Sequence, residues 1–375
     1  MATPHIGIFS DASNFHCRKW AAALAEAGAQ VTVFSLAQGA PIPGVAQAVL
    51  PVPRLWQRAG GGWRYPAFAA TVPALRQGIR ARGVGVLHPL SLTPYGVWAH
   101  WANPGLPLMP AAIGADVLEY TQPGGRWQNA PTHPLARWKN RLLRPWHRAQ
   151  VAQVLRAAHA VTGDNQVLLQ AMEGAFRVPP ERLRLQRWGI EPALLAPDAA
   201  RWASIQARLG LDDRPLLLAP RGANAFYNAG AALAAFEAVA ASPHAAHYQA
   251  VLLGAGYAVD AAIARRAQAL AARWPAFHFL PTALPRAETA QLMAHAAVVL
   301  SMPRYDGYSA ALAEARWAGA IPLVNAIPGN LEVISHGVHG WVLPAGAEPA
   351  AAPQALLQVL AQRDSLQPAL AQANR

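Results

Sequence analysis

Lysine is almost missing from this chain: 375 residues hold two, Lys19 and Lys139, and none lies in the second half. That scarcity argues against chemistry through a lysine Schiff base, such as a pyridoxal-phosphate phosphorylase would need there. The single cysteine, Cys17, excludes an intramolecular disulfide and points to a reducing compartment. Apolar runs such as "AAVVLSM" are far shorter than the ~18–20 residues of a membrane span. The opening "MATPHIGIFSD" lacks the charged start and long apolar core of a secretory signal, so a cytoplasmic protein is expected. There is no D-x-D, no H-E-x-x-H and no cysteine–histidine cluster, and no metal is expected.

Acids are scarce as well, 19 Asp and Glu against 31 Lys and Arg, and unevenly placed. Residues 1–195 carry 19 bases and 8 acids, a net of +11; residues 196–375 carry 12 and 11, a net of +1. No acid occurs between Glu26 and Asp116, nor between Glu119 and Asp164. The second gap holds Arg126, Arg137, Lys139, Arg141, Arg144, Arg148 and Arg156. Such a field attracts an anionic partner: a phospholipid surface, a lipid phosphate, a polyanion or nucleic acid. The alternative is a charged surface kept for solubility. Residues 54–83 alternate arginines with Trp56, Trp63, Tyr65 and Phe68, a composition suited to adsorption at an anionic membrane face. Tryptophan packed in the core and arginine in solvent is the competing reading.

What is present is abundant apolar sequence, 53% of the chain, in a regular alternation of strand and helix. "HIGIFS", "AQVTVFSL" and "GVGVLHPL" read as buried strands, with "FHCRKWAAALAEAG" a helix ended by Gly28. The theme restarts with "RPLLLAPRG", "YQAVLLGAG", "FHFLP", "AVVLSM" and "AIPLVNA", each separated from the next by a helical stretch. Two successive doubly wound α/β domains follow, residues 1–192 and 193–355, with a helical tail at 356–375 that could return to the first domain, and the join near 192–213. Ligands of such sheets bind beyond the carboxyl ends of the strands, so the loops after strands are the ones to inspect, around a cleft expected between the domains.

The densest of these loops is "RYDGYSAALAEARWAG", residues 304–319. Ser309 suits an N-cap and Gly319 the C′ position of the helix between them. Gly307 permits close approach of a ligand to the backbone, and the free N–H groups at 308–311 form an anion site. Asp306 and Glu314, eight residues apart, then suit the vicinal hydroxyls of a ribose or sugar rather than the phosphate itself. A capped surface helix with incidental acids would read the same way. Arg221 stands directly after the strand "PLLLAP", where a guanidinium can hold a diphosphate bidentately. "LLGAGY" supplies a second glycine loop with Gly254 and Gly256, but lacks the third glycine of a dinucleotide fingerprint.

These residues in this order resemble the retaining glycosyltransferases of the GT-B fold, family 4. The resemblance is carried by Asp306 and Glu314 with seven residues between them, then "EARWAGAIPLV" and "PGNLEVISHGVHGWVLP". Further back it is carried by "RWGIEPALLAPD", "PLMPAAIGADVLEY" and "SNFHCRKWAAALAEAGAQVTV", and it covers roughly residues 5–345. It implies two Rossmann-like domains, the first for the acceptor and the second for a nucleotide-diphosphate sugar, which is a co-substrate; no cofactor is implied. Glu314 would take ribose hydroxyls and Asp306 those of the transferred sugar. The backbone at Gly307, Tyr308 and Ser309 would lie near sugar and phosphates, Arg221 at the pyrophosphate, and Gly254, Gly256 and Asn330 beside the donor. Ser13, Asn14, His16 and Asp116 would face the acceptor. Asp306, Arg221, Asp116 and His16 are the candidates for catalysis. With retention, the donor phosphate itself assists the incoming hydroxyl. Charge and resemblance together point to a sugar or lipid-linked acceptor and a protein peripheral to the inner face of the cytoplasmic membrane, with nucleic acid disfavoured.

Two departures stand out. The family's phosphate-binding lysine falls at Tyr227–Asn228, leaving the phosphate charge to Arg221, the helix N-terminus and Arg304. The family's first-domain histidine falls on Ile113, so His16, His88 or His100 would have to supply a sugar contact. A GT-B nucleotide-sugar epimerase and a binding protein that has lost transfer remain the alternatives.

Overall fold

The computed structural model describes residues 3–52, 64–121, 134–344 and 346–374. The chain separates into two compact units, Met1–Trp188 and Gly189–Arg375.

In the first unit, β1 (His5–Phe9), β2 (Gln30–Ser35), β3 (Val45–Val49) and β4 (Val86–Pro89) form a parallel sheet in the order β3-β2-β1-β4. A second parallel sheet joins β5 (Ala111–Ala112), β6 (Val161–Gly163) and β7 (Leu183–Leu185) in that order. Leu87 links the two: its N–H donates to Pro107 O at 2.9 Å and its carbonyl accepts from Met109 N–H at 2.8 Å. The result is one doubly wound succession that reverses direction between β1 and β4. α1 (Phe15–Glu26), α2 (Arg64–Ala81), α3 (Val97–Ala102), α4 (Ala115–Thr121), α5 (Pro134–Ala157) and α6 (Gln166–Phe176) are its helices. Asn14 starts α1 by accepting from His16 N–H and Cys17 N–H, and Gly28 at φ +89° ends the turn beyond it. Of the basic, aromatic stretch 54–83, residues 54–63 lie outside the described residues, and α2 takes 64–81.

The second unit runs α7 (Pro192–Leu195), α8 (Ala199–Leu209), β8 (Leu216–Ala219), α9 (Ala229–Ala240), β9 (Gln249–Leu253), α10 (Ala261–Arg273), β10 (Phe277–Leu280) and α11 (Arg286–Ala294). It continues through β11 (Ala296–Ser301), α12 (Ala310–Trp317), β12 (Ile321–Asn325), α13 (Pro328–Leu331), β13 (Trp341–Leu343), α14 (Glu348–Ala361) and α15 (Arg363–Ala373). Its six strands are all parallel in the order β10-β9-β8-β11-β12-β13. Strands such as "LLLA" and "AAVVLS" are buried on both faces, as their unbroken apolar runs require. One apolar cluster, with Phe236, Val298 and Leu356, lies on one side of the sheet; another, with Ile205, Leu218, Val299 and Ala315, lies on the other. Each fully buried side chain of this kind stabilises by about 1.5–3 kcal/mol.

Two boundaries differ from the sequence expectation. The first unit closes at Trp188 rather than at residue 192. The stretch 192–213, at the expected join, is largely helical. Asp198 caps α8 through Arg201 N–H, Gly210 ends it in the left-handed region, and Leu195, Trp202, Ile205 and Leu209 pack it onto the core. The tail forms no separate segment: residue 355 falls inside α14, and α15 returns to its own unit. Arg316 Nε donates to Asn374 Oδ1 at 2.8 Å, and Leu370 is buried in the second-unit core.

Candidate functional site

β8 and β11 are neighbours, and the strand order reverses between them. The loops leaving their carboxyl ends, 220–228 and 302–309, therefore flank the place where open α/β sheets hold ligands.

Arg221 leads the first loop. Its guanidinium donates to Ser309 Oγ at 2.7 Å and lies 3.0 Å from Asp306 Oδ2. The two charged side chains are 19% and 18% exposed, so solvent and a ligand still reach them. Burial works against the arginine's charge, but the Asp306 carboxylate and the nearby Tyr227 and Tyr257 outweigh it and hold Arg221 more firmly protonated than an ordinary arginine. The Tyr227 ring lies beneath the guanidinium at 4.6 Å, and burial raises its own hydroxyl above the usual tyrosine range. Tyr227 thus fills the region where the family resemblance places a lysine. Asn228 follows in the left-handed region, φ 52°. A Cβ on Gly222 would come within 2.9 Å of both the Tyr227 and Tyr257 rings, so only glycine lets them close over this backbone.

The second loop is fixed from three sides. Arg304 N–H donates to Phe226 O at 2.9 Å and its Nε to Ala225 O at 3.0 Å, which ties Arg304 to the neighbouring loop. Asn325 Nδ2 donates to Pro303 O at 2.9 Å. Asn330 Nδ2 in turn donates to Asn325 O and Oδ1 at 3.1 and 3.0 Å. Asn330 therefore braces the loop through Asn325, a residue that no motif singled out. Asp306 Oδ1 accepts from Gly307 N–H at 3.0 Å, and Ser309 caps α12 through Leu312 N–H. Gly307 is buried, Tyr308 half-buried, and the N–H groups of Ala310 and Ala311 head the helix. Arg221, Asp306 and Ser309 thus meet at one helix N-terminus.

Glu314 is buried one and a half turns further on, and its partner is Arg286 at the start of α11. The guanidinium donates from both terminal nitrogens, to Oε1 and, at 3.2 Å, to Oε2. Glu191 Oε2 lies 3.9 Å from Arg286 Nε. Arg286 is the principal residue that sequence reasoning missed. It opens a helix just past β10, and a fuller survey of strand-to-helix loops would have reached it.

Gly254 has a packing reason for being glycine: its Cβ would sit 2.1 Å from Pro281 O. Gly256, at φ +76°, turns the same loop toward Ala283.

In the first unit, Ser13 Oγ donates to Asp11 Oδ1 at 2.7 Å, Asn14 caps α1, and the His16 ring lies 5.0 Å from that of Trp188. Asp116 is buried at the head of α4, with Leu92 N–H donating to Oδ2 at 2.7 Å and Ile113 N–H to Oδ1 at 3.1 Å. Burial pushes its carboxyl up to about 6 against these hydrogen bonds. Leu92 opens the backbone after β4, so Asp116 fixes the loop at this unit's own reversal point. Glu119, one turn on, is buried as well and pushed up to about 7, with Arg144 opposing the shift and Asp116 adding to it. His88 accepts from Trp20 Nε1 at 2.7 Å and meets Met109 O at 2.6 Å, which uses both ring nitrogens inside the core. His100 is half-buried near the end of α3. Among the described residues, no three His, Cys, Asp or Glu side chains converge as a metal centre, and no helix is long and apolar enough to cross a membrane.

Residues 13–186 match the family described as "Glycosyl transferase 4-like domain", and residues 223–362 the family "Glycosyl transferases group 1". The chain belongs to the GT-B glycosyltransferases. The first match agrees with family 4, and Arg221 stands just before the second. Solved structures share the fold along nearly the whole chain. Sucrose-phosphate synthase from Thermosynechococcus elongatus superposes with a TM-score of 0.75 at 17% identity, over 99% of this chain and 93% of that one. Anabaena Alr3699/HepE in complex with UDP-glucose gives 0.69 at 14%, over 99% and 93%. WaaG, a glycosyltransferase involved in lipopolysaccharide biosynthesis, gives 0.69 at 16%, over 99% and 94%. No curated protein sequence matches the chain significantly.

Proposed function

We propose that the protein transfers a sugar from a nucleotide-diphosphate sugar to a hydroxyl acceptor, with retention of configuration and without a metal. The observation that carries this reading is the meeting of Arg221, Asp306 and Ser309 at the head of α12, at the strand-order reversal. Arg221 and the first amides of α12 take the diphosphate, Asp306 the hydroxyls of the transferred sugar, and Glu314 those of the ribose. Tyr308 and the loops at Gly254, Gly256 and Asn330 complete the donor seat. The acceptor oxygen forms its bond to the anomeric carbon on the face from which the phosphate departs, and its proton passes to the departing phosphate oxygen. Preorganised donors at Arg221 and α12 stabilise the charge that develops there. Ser13, Asn14 and His16 serve the acceptor, with Asp116 acting through the loop it fixes.

The acceptor is lipid-linked or membrane-held, and the protein works at the inner face of the cytoplasmic membrane. The +11 balance of residues 1–195 supports that reading. Thermal-shift measurement across nucleotides and nucleotide sugars tests the donor site. A stabilising nucleotide is expected for the wild type and loss of its effect in Glu314→Ala; an undiminished shift in the variant overturns the placement. NMR of the product's anomeric centre tests retention. Tyr227 in the lysine's place favours one rival, a protein that binds the donor without turning it over, and binding without product from any acceptor would establish that rival.

A further inference from the structure

α5 carries an apolar stripe that the second-unit site does not use. Trp138 is 64% exposed, Leu142 58% and Trp146 39%. The spacing i, i+4, i+8 advances only about 40° per step around the helix, so the three share one face. Pro145 and Ala149 are exposed on the same arc. His147, Gln150, Val151 and Val154 are buried on the opposite side and hold the helix to its unit. Trp146 is anchored by edge contact with the Tyr65 ring at 4.9 Å. Beside the stripe runs an open groove of about 610 Å³ lined by Tyr120, Arg144, Pro145 and Arg148. Arg144 lies over the Tyr120 ring at 6.0 Å and Arg148 over the Phe176 ring at 5.2 Å, so both cations are carried on aromatic supports at the groove.

The geometry points to α5 as the element that seats this protein on an anionic bilayer. The Trp138–Leu142–Trp146 stripe enters the interface, and Arg144 and Arg148 meet lipid phosphates in the adjoining groove. Charge selects this occupant. The helix lies within the acid-free interval from Glu119 to Asp164, in the half of the chain with a net +11. Tryptophan and leucine on one arc with arginine on its flank is the composition of a helix lying in the interfacial plane. Nucleic acid would need the arginines but not the exposed leucine and tryptophans. The inference rests on the proposed membrane-held acceptor and locates its surface on α5 rather than on the stretch 54–83.

Cosedimentation tests it, using vesicles of phosphatidylcholine alone and of phosphatidylcholine mixed with phosphatidylglycerol. The wild type should pellet with the mixed vesicles and not with the neutral ones. Trp138→Ala combined with Leu142→Ala should weaken partitioning by about tenfold or more. Arg148→Ala should weaken it about fivefold at low salt and less at high salt. Both variants should keep the wild-type thermal shift with nucleotide. Wild-type binding that survives the double substitution overturns the assignment to α5 and leaves the membrane reading standing. No wild-type binding overturns both, while the nucleotide shift still reports the donor site. Self-association abolished by the double substitution, without vesicle binding, would assign the stripe to a second copy and overturn the proposal.

Discussion

Replacing Arg286 by alanine strips Glu314 of its bidentate partner. The Glu314 side chain is 8% exposed, so the variant leaves a carboxylate in the protein interior without its matching cation. Breaking a buried pair from one side costs about 3–5 kcal/mol. Arg286 is itself 24% exposed, and water reaching the vacated side takes the expectation to the lower end, about 3 kcal/mol. For a unit of this size that corresponds to a fall in melting temperature of roughly 6–12 °C. Urea unfolding should show a lower midpoint with an unchanged slope. Arg286→Lys should recover part of the loss, since an ammonium meets one carboxylate oxygen but not both. Arg286→Met with Glu314→Gln should recover most of it by removing the unpaired charge.

Stability alone would not distinguish a strut from a positioning residue. On the proposed donor reading, the preference for a nucleoside diphosphate over its 2′,3′-dideoxy analogue should shrink in Arg286→Ala, because Glu314 is no longer aimed. It should vanish in the double variant even where stability returns. A wild-type midpoint together with an undiminished ribose preference in Arg286→Ala would refute the reasoning.

Glu119 is raised by burial from an ordinary 4.5 to about 7, so the folded state holds its proton more tightly than the unfolded chain does. That contribution, on the order of 3 kcal/mol, is complete below pH ~4 and lost as pH rises through about 7. Glu119→Gln should flatten this part of the stability–pH curve and stabilise the protein at pH 8; an unchanged slope in urea titrations across the window would count against it. Gly254→Ala should lower stability by several kcal/mol, on the order of 2–4, because the added methyl meets Pro281 O at 2.1 Å and that atom is backbone. A melting temperature within a degree or so of wild type would show that the two loops give way freely. Cys17 is buried and its thiol pushed up to about 11, chiefly by burial. Its reaction with a disulfide reagent at pH 8 should be roughly a hundredfold slower in the folded protein than in urea, and equal rates would contradict the burial.

The strands were legible because both faces of a parallel sheet are buried and apolar runs such as "AVVLSM" have no other use. The cap at Ser309 was legible for a local reason, since side chain and helix amides are sequence neighbours. What escaped was the meeting of distant loop ends. Glu314 and Arg286 are 28 residues apart, and nothing local to either states that α11 and α12 start side by side. Asp116 likewise was reached only through the resemblance; only the fold shows Leu92, 24 residues upstream, closing on its second oxygen. The segment 192–213 was expected only as the place of the join, and its helices depend on packing against the second-unit core. Its Trp202, Ile205 and Leu209 lie on the core side of α8, and Trp202 stacks on His295 at 4.0 Å.

The pairing of both acids changes what the α12 entrance is electrically. Asp306 is matched by Arg221 and Glu314 by Arg286, so the two carboxylates that would face a donor's hydroxyls are not a bare negative cluster in the way of a diphosphate. Each pair cancels its field at a distance, and on the proposed donor reading the amides of α12 together with Arg221 are what meets the phosphates. In such a neutralised seat a lysine at position 227 would add a mobile cation. Tyr227 supplies instead an aromatic face 4.6 Å from the Arg221 guanidinium. On the proposed donor reading charge is exchanged for orientation, which a bidentate grip on a diphosphate requires.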